Sequence, residues 1–320
     1  PVPPNADRSL PGNGVVRAGD SVREVTRKQL LPTYDVFDEA RYFEADERPG
    51  IARTIAGLDI GVTICEDAWQ HCGATPNDYD SDPIAQIVEW GRQGVVLDAT
   101  VNLSASPYHA NKSGIRIAVA RSAASSLNHP FLLANQVGGN DDLLFDGRSI
   151  IAWPDGTVVV APAWSRGVLL TDLSDPKGCI WIGDGEVTIL KPDEELKEDE
   201  NDLLNAITIG LADYCRKSGI SKIVLGLSGG IDSALAACVA SAAVGAQNVT
   251  GISMPSKHSS QHSIDDAKAT AEALGLNFII EPITELHAAS DSALTDILDG
   301  GHPVAGENLQ ARLRGLIVMA

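Results

Sequence analysis

Two short stretches of this chain hold residues able to do chemistry. Residues 222–239 read Lys-Ile-Val-Leu-Gly-Leu-Ser-Gly-Gly-Ile-Asp-Ser-Ala-Leu-Ala-Ala-Cys-Val. A short apolar run ends in Ser228-Gly229-Gly230 and an Ala-rich helical pattern follows. This predicts a buried strand, a tight loop and a helix N-terminus. Such a loop suits a polyphosphate, because glycines let the backbone approach it and free amide hydrogens at a helix start point toward it. Ser228 and Ser233 add hydroxyls, and Asp232 fits beside phosphate if it holds a magnesium ion. The Gly-Lys-Ser/Thr ending of a Walker loop is absent, which argues against transfer of a terminal phosphoryl group. The second stretch, Gly61-Val62-Thr63-Ile64-Cys65-Glu66-Asp67-Ala68-Trp69, places a thiol at a strand end just before polar residues. A thiol becomes a nucleophile when a nearby cation or base favours the thiolate. The plain alternative, a small apolar core residue, is assigned to Cys72, Cys179, Cys215 and Cys238.

The elements that must position these groups alternate along the chain. Residues 14–18 and 22–27 predict a hairpin, 58–65 a strand, 82–94 a helix and 94–103 a buried strand. A helix over 112–128 carries Arg116 and Arg121. Strands follow at 130–136 and 148–153, and Pro154-Asp155-Gly156 turns the latter into a further strand to about 161. Residues 183–202 are acidic and poorly apolar, and are expected to be a solvated linker. Beyond them, helix 202–218, strand 222–227, helix 233–243, strand 248–253, helix 263–274 with Ser263 as N-cap, strand 276–281 and a helix from about 305 predict a parallel, doubly wound sheet. Ligands of such sheets lie at the carboxyl ends of the strands, where Ser228–Ser233 falls.

Length and charge bound the rest. At 320 residues the chain can form two domains with their own cores. Its formal net charge of −19 disfavours nucleic acid and anionic membranes as partners. No apolar run reaches the length of a membrane span, and the start is no signal peptide. Five scattered cysteines imply a reducing compartment, and the expected localisation is cytoplasmic.

Ser-Gly-Gly-Ile-Asp-Ser resembles the pyrophosphate loop of the ATP pyrophosphatases. The front half carries further motifs: Lys28-Gln29-Leu30-Leu31-Pro32-Thr33-Tyr34, Phe37-Asp38-Glu39-Ala40-Arg41, Cys65-Glu66-Asp67, Asn102-Leu103-Ser104-Ala105-Ser106-Pro107-Tyr108 with Lys112, and Asn135-Gln136-Val137-Gly138-Gly139-Asn140-Asp141. Together they resemble the nitrilase-like glutaminase domain of glutamine-dependent NAD synthetases. The resemblance covers nearly the whole chain. It implies a nitrilase-like α-β-β-α sandwich over 1–182, the linker at 183–202, and a Rossmann-like, adenine nucleotide alpha hydrolase-like domain over 203–320. By resemblance Cys65 is the nucleophile, Lys28 and Glu39 are catalytic, and Tyr34, Ser106 and Lys112 bind glutamine. Gly226, Leu227, Ser228, Gly229, Gly230, Ile231, Asp232 and Ser233 would bind ATP, with Asp232 holding Mg2+. Asn308 and Arg312, in Glu307-Asn308-Leu309-Gln310-Ala311-Arg312, would contact deamido-NAD.

The implied reaction joins both halves. The thiol releases ammonia from glutamine, ATP adenylates deamido-NAD with loss of pyrophosphate, and ammonia displaces AMP to give NAD. The family tends to assemble, so a homo-oligomer is expected. Two departures stand out. The family's general-base glutamate lies upstream of the lysine, and its Thr-Thr-Gly-Asn-type loop follows the last helix seen here; neither occurs in this sequence, which is expected to be truncated at both ends. The stretch from Cys65 to Ser106 is also longer than the family needs, with a surface loop at 70–84. Alternatives are a stand-alone nitrilase-type amidase, which leaves Ser228–Ser233 unexplained, a different ATP pyrophosphatase such as a GMP or asparagine synthetase, and a nucleotide-binding fragment without full activity.

Overall fold

A computed structural model describes residues 13–18, 21–53, 57–194, 200–298 and 304–320. The chain divides into two compact units, one of residues 1–138 and 142–203, the other of 139–141 and 204–320.

The front unit begins with the hairpin strands β1 (Asn13–Ala18) and β2 (Ser21–Arg27), paired antiparallel as expected; the turn at residues 19–20 lies outside the described residues. Then come β3 (Gly50–Arg53), β4 (Asp59–Ile64), α1 (Pro83–Arg92), β5 (Ala99–Ser104), α2 (Lys112–Leu127) and β6 (Phe131–Asn135). A small ribbon pairs β7 (Val137–Asn140) with β8 (Leu143–Asp146), and β9 (Ile150–Ala152) turns into β10 (Val158–Val160). The order β10-β9-β6-β5-β4-β3 makes one six-stranded sheet, parallel through β4-β5-β6 and antiparallel at both edges.

Ile84 and Ile87 of α1 and Val119, Ala120 and Ala123 of α2 bury one face of that sheet against Phe131, Leu133, Ile150 and Ala152. The small residues of α2 let the helix lie close to the strands, as dense interior packing requires. On the other face Ile151, Trp153 and Val159 meet Cys179 and Leu169 of a second sheet, β11 (Gly167–Asp172), β12 (Asp175–Gly183) and β13 (Glu186–Ile189). The layers among the described residues therefore run helix, sheet, sheet.

A row of buried charges crosses this unit. The Arg116 guanidinium donates to both oxygens of Asp146 at 2.6 Å, and both side chains are fully buried. Asp146 also accepts from Arg148 at 3.0 Å, and Arg148 in turn donates to Asp202 at 3.0 Å. Burial is tolerated because each ion has an opposite neighbour and further hydrogen bonds.

The rear unit holds most of α3 (Glu200–Lys217), then β14 (Ile223–Gly226), α4 (Ile231–Val244), β15 (Val249–Ser253), α5 (Gln261–Leu274), β16 (Asn277–Ile280), α6 (Thr284–Ala293), α7 (Thr295–Leu298) and α8 (Val304–Met319). Its three strands are parallel in the order β14-β15-β16. Leu227, Ala237, Ala267 and Ala271 form the core between sheet and helices. The α/β class read from the sequence is the one observed, with a parallel sheet in the rear.

Several expectations need correction. Strand β5 starts at Ala99, not at residue 94: Gly94 takes φ +90° and Val96 is 80% exposed, so the first residues of the apolar run form a turn. Residues 186–189 are a paired strand and not unstructured linker; residues 195–199 lie outside the described residues. The N-cap of α5 is Ser260, whose hydroxyl accepts from the Ser263 amide; Ser263 sits one turn inside the helix. Cys179 and Cys215 are buried as expected, whereas Cys72 and Cys238 are exposed.

Candidate functional site

Cys65 follows the last residue of β4 and takes φ +48°. A non-glycine residue in that region is strained and persists only where its surroundings hold it. They do so here through Asn102 and Asp67. Asn102 Nδ2 donates to the Cys65 carbonyl at 3.2 Å and to Thr63 Oγ1 at 3.0 Å. Asp67 Oδ2 accepts from the Ile64 amide at 3.0 Å, while its Oδ1 accepts from the amides of Gln29 at 3.0 Å and Leu30 at 2.9 Å. One buried carboxylate thus ties the segment carrying Lys28 to the turn carrying the thiol. Burial pushes the Asp67 carboxyl from 3.8 up to about 6, against the pull of those three amides.

The sharp turn sets Cys65 between two cavities. The first, roughly 650 Å³, is lined by Cys65, Lys28, Glu39, Phe37, Ala105 and Gln136 among others. Buried Lys28 donates to both oxygens of Glu39, at 2.8 and 2.6 Å. Burial raises the thiol above its ordinary 9.0; the Lys28 charge and the Ala105 amide hydrogen pull it back down. The second cavity, roughly 420 Å³, is lined by Cys65, Tyr34, Glu66, Trp69, Ser106 and Lys112. Tyr34 donates to Glu66 Oε1 at 2.6 Å. The Lys112 ammonium lies 5.5 Å from the Trp69 ring centroid, and burial followed by the Arg116 charge lowers its pKa. Ser106 Oγ and Trp69 Nε1 are buried without a protein partner, so this cavity offers hydrogen-bonding atoms to a ligand.

All six front-unit candidates, Lys28, Tyr34, Glu39, Cys65, Ser106 and Lys112, therefore line one of two cavities that share Cys65. Sequence reasoning passed over Glu66, Asp67 and Trp69. Their signal was adjacency to Cys65, but a carboxylate's partners 37 or 38 residues away cannot be read from spacing.

In the rear unit the strand-loop-helix runs as predicted from β14 through Ser228-Gly229-Gly230 into α4, with Gly230 as N-cap. Gly229 takes φ +84°, and a Cβ there would stand 2.3 Å from the Ser263 carbonyl oxygen, so only glycine fits. The serines close the loop on itself: Ser228 Oγ and Ser233 Oγ are 3.0 Å apart, the Ser228 amide donates to Ser233 Oγ, and the Gly230 amide donates to Ser228 Oγ. A cavity of roughly 400 Å³ opens at the carboxyl ends of β14 and β15. It is lined by Gly226, Leu227, Ser228, Met254, Ser263 and Arg314, with others. Gly229, Gly230, Ile231, Asp232 and Ser233 do not line that cavity; Ile231 and Asp232 are exposed on the first turn of α4.

Asn308 and Arg312 are exposed on α8 and do not line it either. Arg314, about 200° around the helix from Arg312, does so, and its Nε donates to the Met254 carbonyl at 3.1 Å. Helix α8 thus contributes Arg314 to this cavity, a residue the sequence does not single out because Arg312 and Arg314 read alike on an amphipathic pattern. Among the described residues no group of three or more His, Cys, Asp or Glu side chains could by itself hold a metal ion. No helix among them is long and apolar enough to cross a membrane.

A strained cysteine beside a lysine–carboxylate pair, on an α/β fold, has the parts of a thiol-dependent amide hydrolase. A parallel sheet with a Ser-Gly-Gly loop at its carboxyl edge has those of a nucleotide-binding domain. Comparison with known proteins narrows this class. Residues 203–320 match the NAD synthase family. The glutamine-dependent NAD(+) synthetase of Synechocystis sp. is 39% identical over 316 residues, 98% of this chain and 54% of its own length. That of Aquifex aeolicus is 36% identical, over 95% of this chain and 55% of its own length. The solved glutamine-dependent NAD+ synthetase from Acinetobacter baumannii, in complex with ADP, superposes with a TM-score of 0.76 at 28% identity, covering 96% of this chain and 56% of that one. The chain is thus similar to the glutamine-dependent NAD(+) synthetases along almost its whole extent, and spans about half the length of the curated relatives it matches.

Proposed function

We propose that this chain is the glutaminase and ATP-binding portion of a glutamine-hydrolysing NAD+ synthetase. Residues 1–182 would release ammonia and 203–320 would consume it. The observation that carries this reading is Cys65 standing on a strained turn between a lysine–glutamate pair and a cavity with one buried carboxylate and one half-buried ammonium.

Glutamine complements that second cavity. Its α-ammonium suits Glu66 and its α-carboxylate suits Lys112, with Ser106 Oγ as a further donor. Its side-chain amide then reaches Cys65. The thiolate attacks the amide carbon, and the oxyanion formed is stabilised by the Lys28 ammonium, which Glu39 holds in place. The C–N bond breaks as the nitrogen takes up the proton that the thiol gave up, ammonia leaves, and water cleaves the thioester to give glutamate and restore the thiol.

In the rear unit ATP would occupy the cavity at Gly226–Ser228, with its phosphates over the loop and the α4 N-terminus and Arg314 as the nearby cation. The carboxylate of deamido-NAD attacks the α-phosphorus and pyrophosphate leaves; ammonia then displaces AMP and forms the amide of NAD. Asp232, exposed on the first turn of α4, would be one ligand of a magnesium ion, with phosphates and water as the others, and the ion would neutralise the departing pyrophosphate. Asn308 and Arg312 remain candidates for deamido-NAD on the exposed face of α8, and several copies of the protein are expected to assemble.

The test is ammonia release from glutamine and pyrophosphate release from ATP. Cys65→Ala should abolish the first while sparing NAD formation from free ammonia. Pyrophosphate release should require deamido-NAD. Release without deamido-NAD, or loss of ammonia-dependent synthesis in Cys65→Ala, would overturn the assignment.

A further inference from the structure

The loop after the nucleophile turn has a task that the reaction above does not use. Residues 70–82 leave the short helical turn Gln70–Cys72 through Gly73 at φ +67° and return at Asp82, the N-cap of α1. The loop is fastened at both ends. His71 Nδ1 lies 2.8 Å from Asp82 Oδ2 and its Nε2 2.8 Å from Ser126 Oγ on α2, while Asp82 Oδ1 accepts from the Ala85 amide. Inside it, Thr75 donates to Gln70 Oε1 at 2.6 Å, and Gln70 Nε2 donates to the Tyr79 carbonyl at 3.4 Å. Ala74 and Pro76 form part of the wall of the second cavity. Behind that wall the Tyr79 hydroxyl donates to Glu66 Oε1 at 3.3 Å, onto the same oxygen that takes Tyr34.

We propose that Tyr79 is a positioning residue for recognition of the amino-acid head of glutamine. With Tyr34 it fixes one oxygen of Glu66, so that the other is presented to a cationic group, and the 70–82 loop exists to bring it there. This rests on the glutamine reading of the front unit. Tyr79 does not line the cavity, so it acts through Glu66 and touches no substrate. Two phenols converging on one oxygen restrict the carboxylate to a single rotamer, and prior ordering of a charged partner is where binding gains most. Burial, followed by the charge of Glu66, pushes the Tyr79 hydroxyl far above its usual range, so it remains a donor throughout the pH range of interest. Tyr34 is shifted the same way, again by burial first.

Two alkylating agents distinguish this role from simple propping. 6-Diazo-5-oxo-L-norleucine carries the amino-acid head of glutamine and alkylates a nearby cysteine at its terminal diazo carbon with loss of N2; iodoacetamide carries no such head. In Tyr79→Phe the half-saturating concentration of the diazo compound for Cys65 should rise roughly five- to tenfold, the loss of one hydrogen bond to a charged group. The rate with iodoacetamide should stay unchanged. Tyr79→Ala should give at least the same loss in the first arm. Unchanged labelling by both reagents overturns the proposal, and so does equal slowing of both, which would make the loop a structural support only. Failure of the diazo compound to label Cys65 in the unsubstituted protein overturns the glutamine reading itself. That result is seen before any substitution, so the two failures are told apart.

Discussion

Asp67→Asn should make the front unit more stable at neutral pH while loosening its active site. The argument starts from burial. Asp67 is 1% exposed and accepts three backbone amides, yet its carboxyl is pushed from 3.8 to about 6. Because the folded value is raised, the native state holds the proton more tightly than the unfolded chain does. Between about pH 4 and pH 6 the unfolded chain binds fewer protons, so stability falls as pH rises through that window and is level above it. A rise from 3.8 to about 6 is about 3 kcal/mol at roughly 1.4 kcal/mol per pH unit. Asparagine carries no charge to bury, and it keeps an oxygen for Gln29 and Leu30 while turning an amide NH2 toward the Ile64 amide. Urea unfolding followed by tryptophan fluorescence isolates this unit, because all five tryptophans precede residue 183. The wild-type unfolding free energy minus that of Asp67→Asn should fall by about 3 kcal/mol between pH 3 and pH 8. All other carboxylates cancel in the difference. A difference that stays constant across that range would refute the burial argument. The same variant should label more slowly at Cys65, since the Ile64 tether is lost.

Lys28→Met should move the pH midpoint of Cys65 alkylation further above the ordinary thiol value of 9.0, since the ammonium opposes the burial that raises it; Glu39→Gln should move it the other way. Iodoacetamide rates from pH 7 to 11 read both, and shifts in the same direction would refute the assigned signs. Gly229→Ala forces a Cβ toward the Ser263 oxygen and into a left-handed backbone costing about 1–2 kcal/mol. ATP affinity by calorimetry should drop at least roughly tenfold, and an unaltered affinity would separate the loop from the nucleotide. Arg116→Met leaves Asp146 buried beside Arg148 alone and should cost about 3–5 kcal/mol in the same fluorescence assay. A loss below about 1 kcal/mol would mean that the pair is as weak as a surface one.

The sequence made some parts of this molecule legible and left others hidden for physical reasons. Strands β4, β6 and β14 are β-branched or apolar runs bounded by turn residues, and helices α1, α2 and α4 carry apolar or small residues at helical spacing, so local pattern sufficed. The sheet of β11, β12 and β13 was missed because Gly167, Asp172, Asp175, Pro176, Gly178 and Gly183 break its alternation; long-range pairing, not propensity, holds those strands. Helix α6 was missed because Thr284–Ala293 presents no buried face among its residues. At the site, each side chain recognised by resemblance was a single letter in a motif. Asp67 and Tyr79 act through partners supplied by other segments, so their roles exist only in three dimensions.

The chain of alternating charges Arg116, Asp146, Arg148 and Asp202 carries a consequence for descent. Each member neutralises its neighbours, so exchanging any one strands a charge that water cannot reach. Losses made singly are severe, whereas joint removal of an end pair, Arg116 with Asp146 or Arg148 with Asp202, can be nearly neutral. Relatives that have abandoned one of these residues should therefore have abandoned a neighbour with it, and drift at these sites should proceed in pairs.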